Sequence, residues 1–239
     1  MTKNNNVYFQ DLKLIEYVDA WKYQEDLFNS IICQKLINRD KERVSEHSPT
    51  DNYMLFCEHP HVYTLGKNGQ ENNLLAGIAE LAAKKASFVK IDRGGDITYH
   101  GPGQIVGYPI LDLDNFNPNI RQYVEFLEEA AIRTIAEYGL HGDRLNGASG
   151  VWLDINLPGK TRKICAIGIR TSRWVTMHGF AFNVNTDLNY YNYINPCGFT
   201  DKKATSLEVE LGKKLDIEEV KSKLKNHLVD IFGMNLVCR

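Results

Sequence analysis

The chain has 239 residues, 43% of them hydrophobic and 24% charged, with a formal net charge of −2. A chain of 27.3 kDa buries about 70% of its unfolded surface on folding, enough for a core without structural metal or disulfides, so disorder, collagen-like repeats and coiled coil are excluded for the chain as a whole. The charge balance also speaks against a nucleic-acid partner held by bulk electrostatics.

In chain order, Val18, Trp21, Leu27, Phe28, Ile31 and Ile32 recur at helical spacing, which predicts an amphipathic helix over 17–38. Residues 38–52 are polar and read as a loop. Tyr53 to Cys57 and Val62 to Leu65 are short apolar runs and read as strands joined through Glu58-His59-Pro60-His61. A short helix is expected over 77–85 and a strand over 87–91. Residues 93–104, RGGDITYHGPGQ, resist any periodic assignment, and a strand follows over 105–111. Asn117-Pro118 predicts a helix start, with Asn as N-cap and Pro at the first helical position, and Gly139 a stop. Strands are expected over 150–155, 163–170 and 174–184. In the last, Thr176, His178, Phe180, Phe182 and Val184 share one face. Asp216 with Glu219 has the form of a capping box opening a last helix to about 232. Strands and helices are mixed without a linker or repeat, so we expect one α+β domain spanning residues 1–239.

The segment Arg93 to Gln104 is the strongest local signal. Its glycines let a backbone approach a ligand, and Arg93, Thr98, Tyr99 and His100 crowd donors into one turn. It has neither the Gly-Lys-Ser/Thr of a phosphate loop nor a GxGxxG fingerprint. Cys197 lies between Pro196 and Gly198, in a turn, where a lone cysteine is less easily a buried hydrophobe. Lys163 opens a strand, and period 2 places it on one face with Cys165, whose apolar neighbours give that cysteine a core reading. Cys57, His59 and His61 suggest a metal site, but Pro60 interrupts the pair and no third ligand follows from spacing, so no metal is expected. His178, on an otherwise apolar face, reads as a core histidine. The five cysteines (Cys33, Cys57, Cys165, Cys197 and Cys238) are odd in number and lack a CxxC, which fits reduced thiols and a cytoplasmic location. Met1 to Leu14 lacks the apolar run of a secretory signal. Leu74 to Ala83, the most apolar stretch, is too short to span a membrane.

Taken together, Glu58-His59-Pro60, Val62 to Gly66, RGGDITYHGPGQ, Tyr108-Pro109, Lys163 to Gly168, His178-Gly179-Phe180, Asn183-Val184-Asn185, Asp187-Leu188 and Asn195 to Gly198 resemble the lipoyl(octanoyl) transferases. The resemblance implies a mixed β-sheet packed with helices, as in the catalytic domain of biotin and lipoate–protein ligases. It implies transfer of an octanoyl group from octanoyl-acyl carrier protein to a lysine of lipoyl domains. The acceptors would be the E2 subunits of 2-oxoacid dehydrogenases and the glycine-cleavage H protein, with no ATP, metal or other cofactor. It places the acyl-thioester nucleophile on Cys197. Lys163 becomes the lysine that lowers the cysteine pKa and serves as acid and base. Substrate contacts fall on Arg93, Gly94, Gly95, Asp96, Ile97, Thr98, Tyr99 and His100, on Ala166, Ile167 and Gly168, and on Gly179, Phe180 and Ala181. Ile167, Phe180 and Phe182 are expected to line the acyl chain. The competing readings are an ATP-dependent lipoate–protein ligase, a non-catalytic carrier-binding module and a thioesterase.

Overall fold

The computed structural model describes residues 3–41, 46–195 and 202–237. Strand β1 (Asn6–Leu14) leads into helix α1 (Tyr17–Arg39), then β2 (Tyr53–Glu58) and β3 (Val62–Leu65). Helix α2 (Ile78–Ala83) precedes β4 (Ser87–Lys90), β5 (Ile97–His100) and β6 (Gln104–Ile110). The short α3 (Leu113–Phe116) and the long α4 (Ile120–Ala136) precede β7 (Asp143–Leu145), β8 (Ala148–Leu153), β9 (Arg162–Ser172) and β10 (Val175–Asn183). The chain closes through β11 (Lys203–Ala204), α5 (Leu207–Leu211), α6 (Ile217–Phe232) and β12 (Asn235–Val237). Among the described residues these strands make a large sheet in the order β12-β1-β2-β6-β10-β9-β8-β7, with β11 paired to β9, and a small sheet β4-β3-β5. The large sheet is parallel where β1 meets β12 and β2, and antiparallel from β2 to β7.

Both faces of the large sheet are covered, which is why its central strands read as near-continuous apolar runs rather than alternations. Met54, Phe56, Ile105, Phe180 and Phe182 point to a core shared with α4 and α6, where Tyr123, Leu127, Leu224 and Leu228 pack. Tyr53, Leu55, Cys57, Val106, Tyr108 and Met177 take the opposite face, against Ala20, Leu27, Phe28 and Ile31 of α1. Period 2 along each strand distributes the two sets.

The runs 53–57 and 62–65 are strands as expected, β2 and β3, and the segment that joins them carries the chain from the large sheet to the small one. Several other sequence expectations change. Part of the aperiodic glycine-rich segment is a strand, because Ile97 to His100 finds its partner in β3, far outside any local pattern. Helix α1 buries Ala20, Gln24, Leu27, Phe28 and Ile31, whereas Val18 is left exposed at its first turn. Asn117 is not the cap of α4. It ends α3 in the left-handed conformation, and Asn119 caps α4 with a reciprocal bond to Gln122. Asp216 caps α6 through the Glu218 N–H and not through the third helical position. No helix among the described residues is long and apolar enough to cross a membrane.

Candidate functional site

A cavity of about 1040 Å³ lies between the large sheet and the small one. Its floor is the β9–β10 ladder. Antiparallel pairing sets Ala166 opposite Ala181, Ile167 opposite Phe180 and Gly168 opposite Gly179, so two triplets distant in sequence become cross-strand partners. All six line the cavity. Phe182 does not. With Cys165, its ladder partner, it belongs wholly to the α4–α6 core, whereas Phe180, two residues earlier on the same strand, is part of that core and also borders the cavity.

The roof is the glycine-rich segment. The Arg93 C=O and the Gly95 C=O accept the N–H groups of Lys67 and Asn68, and the Gly94 N–H donates to Ile169 C=O at 2.8 Å. Gly95 adopts φ +89°, a conformation that side chains rarely tolerate. The buried Arg93 guanidinium donates to Thr64 C=O at 3.0 Å, Thr64 Oγ1 at 3.1 Å and Gly94 C=O at 3.0 Å. It also packs over Gly168, where an added Cβ would stand 2.9 Å from Arg93 Cδ. Arg93, Gly95, Asp96, Ile97, Thr98 and His100 line the cavity; Gly94 and Tyr99 do not. Tyr99 is fully buried in the core of the small sheet, its phenol bonded to His61 Nδ1 at 2.7 Å, because alternation along β5 turns it away from Thr98 and His100. Asp96 Oδ2 accepts from Asn73 Nδ2 at 2.6 Å.

At the inner end stand groups that sequence reasoning did not single out as contacts. Tyr17 and Tyr108 line the cavity beside His100. The Ile15 C=O lies 2.7 Å from His59 Nδ1, which fixes the proton there, so Nε2 accepts from the Tyr108 hydroxyl at 2.7 Å. Burial holds His59 neutral, pushed down to about 4 against the Ile15 bond. Burial holds His100 neutral too, well below the usual range, with Nδ1 bonded to Gln104 Oε1 at 2.8 Å. His59 was legible as part of the Glu-His-Pro run; Tyr17, at a helix start, carried no local signal. His178 is buried as expected but lines the cavity, with φ +58° inside a strand. Its Nε2 meets Asp92 Oδ1 at 2.9 Å, its N–H donates to Gln24 Oε1 at 3.0 Å, and Nδ1 has no partner.

Lys163 stands at the opposite end of the ladder. Its Nζ donates to Ser149 C=O at 2.9 Å and lies 4.4 Å from the centre of the Trp152 ring. The expectation that Lys163 shares a face with Cys165 fails. The β8–β9 register shifts between Val151, opposite Cys165, and Trp152, opposite Lys163. Ile164 is thus the additional residue of a bulge, and Ile164 and Cys165 both enter the α4–α6 core while Lys163 lines the cavity. Burial pushes the Cys165 thiol far up, which makes it a packing group. Cys197 lies outside the described residues; Asn195 and Lys202, which flank the segment 196–201, both line the cavity. No cluster of three or more His, Cys, Asp or Glu able to hold a metal occurs among the described residues.

The geometry therefore offers a cationic amine at one end of a long cavity with an apolar floor, roofed by a backbone-rich loop. Residues 16–229 match the family described as the lipoyl protein ligase A/B catalytic domain. A protein of Flavobacterium johnsoniae named octanoyltransferase is 56% identical over 98% of this chain and 100% of its own. One of Cytophaga hutchinsonii with the same name is 50% identical over 99% of this chain and 97% of its own. Among solved structures, the bi-partite lipoate protein ligase of Thermoplasma acidophilum superposes with a TM-score of 0.66 at 13% identity, covering 100% of this chain and 87% of that one. The last likeness shows a shared fold, a mixed sheet packed with helices. Sequence identity at the level of the first two, over nearly the full length of both partners, means that this chain belongs to the octanoyltransferases of the lipoyl protein ligase A/B catalytic-domain family and is an acyltransferase.

Proposed function

We propose that the chain, acting as one catalytic unit over residues 1–239, moves an octanoyl group from octanoyl-acyl carrier protein to a lysine of a lipoyl domain through a thioester on Cys197. The observation that carries this reading is the position of Lys163 on a cavity whose lining also includes Asn195 and Lys202, the residues bracketing the Cys197 segment. In the first half-reaction the Cys197 thiolate attacks the donor carbonyl. A new C–S bond forms, the bond to the carrier's sulfur breaks, and that sulfur leaves as a thiolate and takes up the proton that Cys197 gave up. One thioester replaces another, so the step is near-balanced and calls for neither ATP nor metal. In the second, the acceptor amine attacks, a C–N bond forms, the Cys197 C–S bond breaks, and the amine proton passes to the thiolate or to Lys163 in its neutral form.

An ammonium beside a thiol favours the thiolate, and Lys163 supplies that charge. The cavity floor of Ala166, Ile167, Phe180 and Ala181 suits the alkyl chain. Six methylenes at about 0.8 kcal/mol each offer roughly 5 kcal/mol if fully buried. The acceptors in this reading are lipoyl domains of 2-oxoacid dehydrogenase E2 subunits and the glycine-cleavage H protein, in the cytoplasm.

Intact-protein mass spectrometry after mixing with octanoyl-acyl carrier protein, without ATP, tests the reading. One octanoyl group should be gained by the native chain and by Cys165→Ala, and none by Cys197→Ala. An adduct that survives loss of Cys197 but not of Cys165 refutes the assignment. Activity that appears only with free octanoate and ATP points instead to a ligase.

A further inference from the structure

Strict alternation along β9 would bury Lys163. Ala166 and Gly168 face the cavity, while Cys165, paired with Phe182, faces the α4–α6 core. Counting back by twos from Cys165 puts Lys163 in that same apolar core, where an ammonium is very costly. The bulge at Ile164 reverses this by one residue. Released to the cavity side, a four-carbon lysine stem would be free to sample many rotamers. Here two groups of β8 hold its end, the Ser149 C=O at 2.9 Å and the face of the Trp152 ring at 4.4 Å. Trp152 itself is only 2% exposed, and its Nε1–H donates to Ala148 C=O at 3.0 Å, so the ring is fixed before the lysine lies on it.

We infer that Trp152 is a positioning residue that acts through Lys163: its π-face fixes the ammonium at the mouth of the cavity. The inference rests on the role given to Lys163 above. The ring's negative face attracts the cation, and burial of the ring with half-burial of the lysine strengthens that attraction relative to an exposed pair. Tryptophan is the best of the three aromatic side chains for this purpose, phenylalanine offers a weaker face, and leucine fills volume with no face at all.

A double-mutant cycle on single-turnover acylation by octanoyl-acyl carrier protein, followed by mass spectrometry over seconds to hours, tests it. Trp152→Leu in the native background should slow acylation about tenfold, the size expected of a partly desolvated cation–π contact. Trp152→Phe should recover most of that loss, because it keeps an aromatic face. In the Lys163→Ala background, Trp152→Leu should change the residual rate less than about twofold, since the contact it removes is already gone. Thermal melting of each variant identifies loss of fold. Losses that multiply in the double variant, or Phe behaving no better than Leu, overturn the inference and make Trp152 a packing residue. A Lys163→Ala variant that acylates at the native rate instead overturns the role of Lys163, and the inference with it.

Discussion

Single residues in this site act through what lies against them. Gly95 lies on the cavity, but its φ of +89° means that any side chain there brings backbone strain along with lost space. Gly168 separates the two effects. Its backbone φ needs no glycine, but an added Cβ would stand 2.9 Å from Arg93 Cδ and 3.0 Å from the Gly94 C=O. Gly168→Ala should therefore push the roof of the cavity outward and reduce octanoyl transfer at least about tenfold, through misplacement of a substrate-positioning group. Thermal melting should shift by no more than a few degrees. A variant with native turnover would show that the roof contacts no substrate. Cys165 illustrates the same dependence on surroundings. Its nearness in sequence to a cationic lysine does not make it a nucleophile: paired with Phe182 it lies in the apolar core, as its apolar neighbours predict, and there its thiol stays protonated.

At the scale of elements, helices were more legible than strands. Helix α4 carries its signals within its own sequence: a capping pair, an apolar stripe, and Gly139 beyond its end with φ +78°. Only the placement of its start was shifted, because Asn117-Pro118 and Asn119 offer two competing caps and the chain uses the second. Asn119 is exposed, remote from the cavity, and bonded to the Gln122 N–H at 2.9 Å. Asn119→Ala should cost about 1 kcal/mol and lower the melting temperature by about 2–4 °C for a protein of this size, with transfer activity unchanged. Loss of activity would connect the α4 start to the site. The short strands β7, β11 and β12 and the glycine-bounded β5 had no such signals. Each is two to four residues long and exists because a partner strand satisfies its backbone.

Across the whole molecule, three buried histidines make stability depend on pH. Burial lowers His59 to about 4, His100 well below its ordinary range, and His178 to a lesser degree against the pull of Asp92. In the unfolded chain each titrates near 6.5. Between the two values the unfolded state binds more protons than the native state, so stability rises with pH through this window and is lost on acidification. Glu210, held below its ordinary range by the Arg162 guanidinium, adds to the loss only at still lower pH. The urea midpoint should therefore fall from about pH 7 to about pH 5, and fall less steeply in His59→Asn, which removes one of the titrating groups. A midpoint independent of pH in that range would mean that these histidines are protonated in the folded protein.

What the sequence by itself determined was local or motif-borne: the mixed α+β class, the spans of α1, α4 and α6, the long β9 and β10, and the stretches that meet at the site. Helical spacing, caps and glycine placement act within a few residues of chain, so a linear reading captures them. The tertiary structure alone decided which strands pair and which face each residue takes. It put β2 and β3 in separate sheets, set 166–168 against 179–181, and turned Tyr99 into the small sheet's core. It also moved Lys163 to the cavity, on the side away from Cys165, through one additional residue in a ladder. Pairing joins residues far apart in sequence, and a shift of one residue exchanges the two faces of a strand, so neither outcome follows from a local pattern.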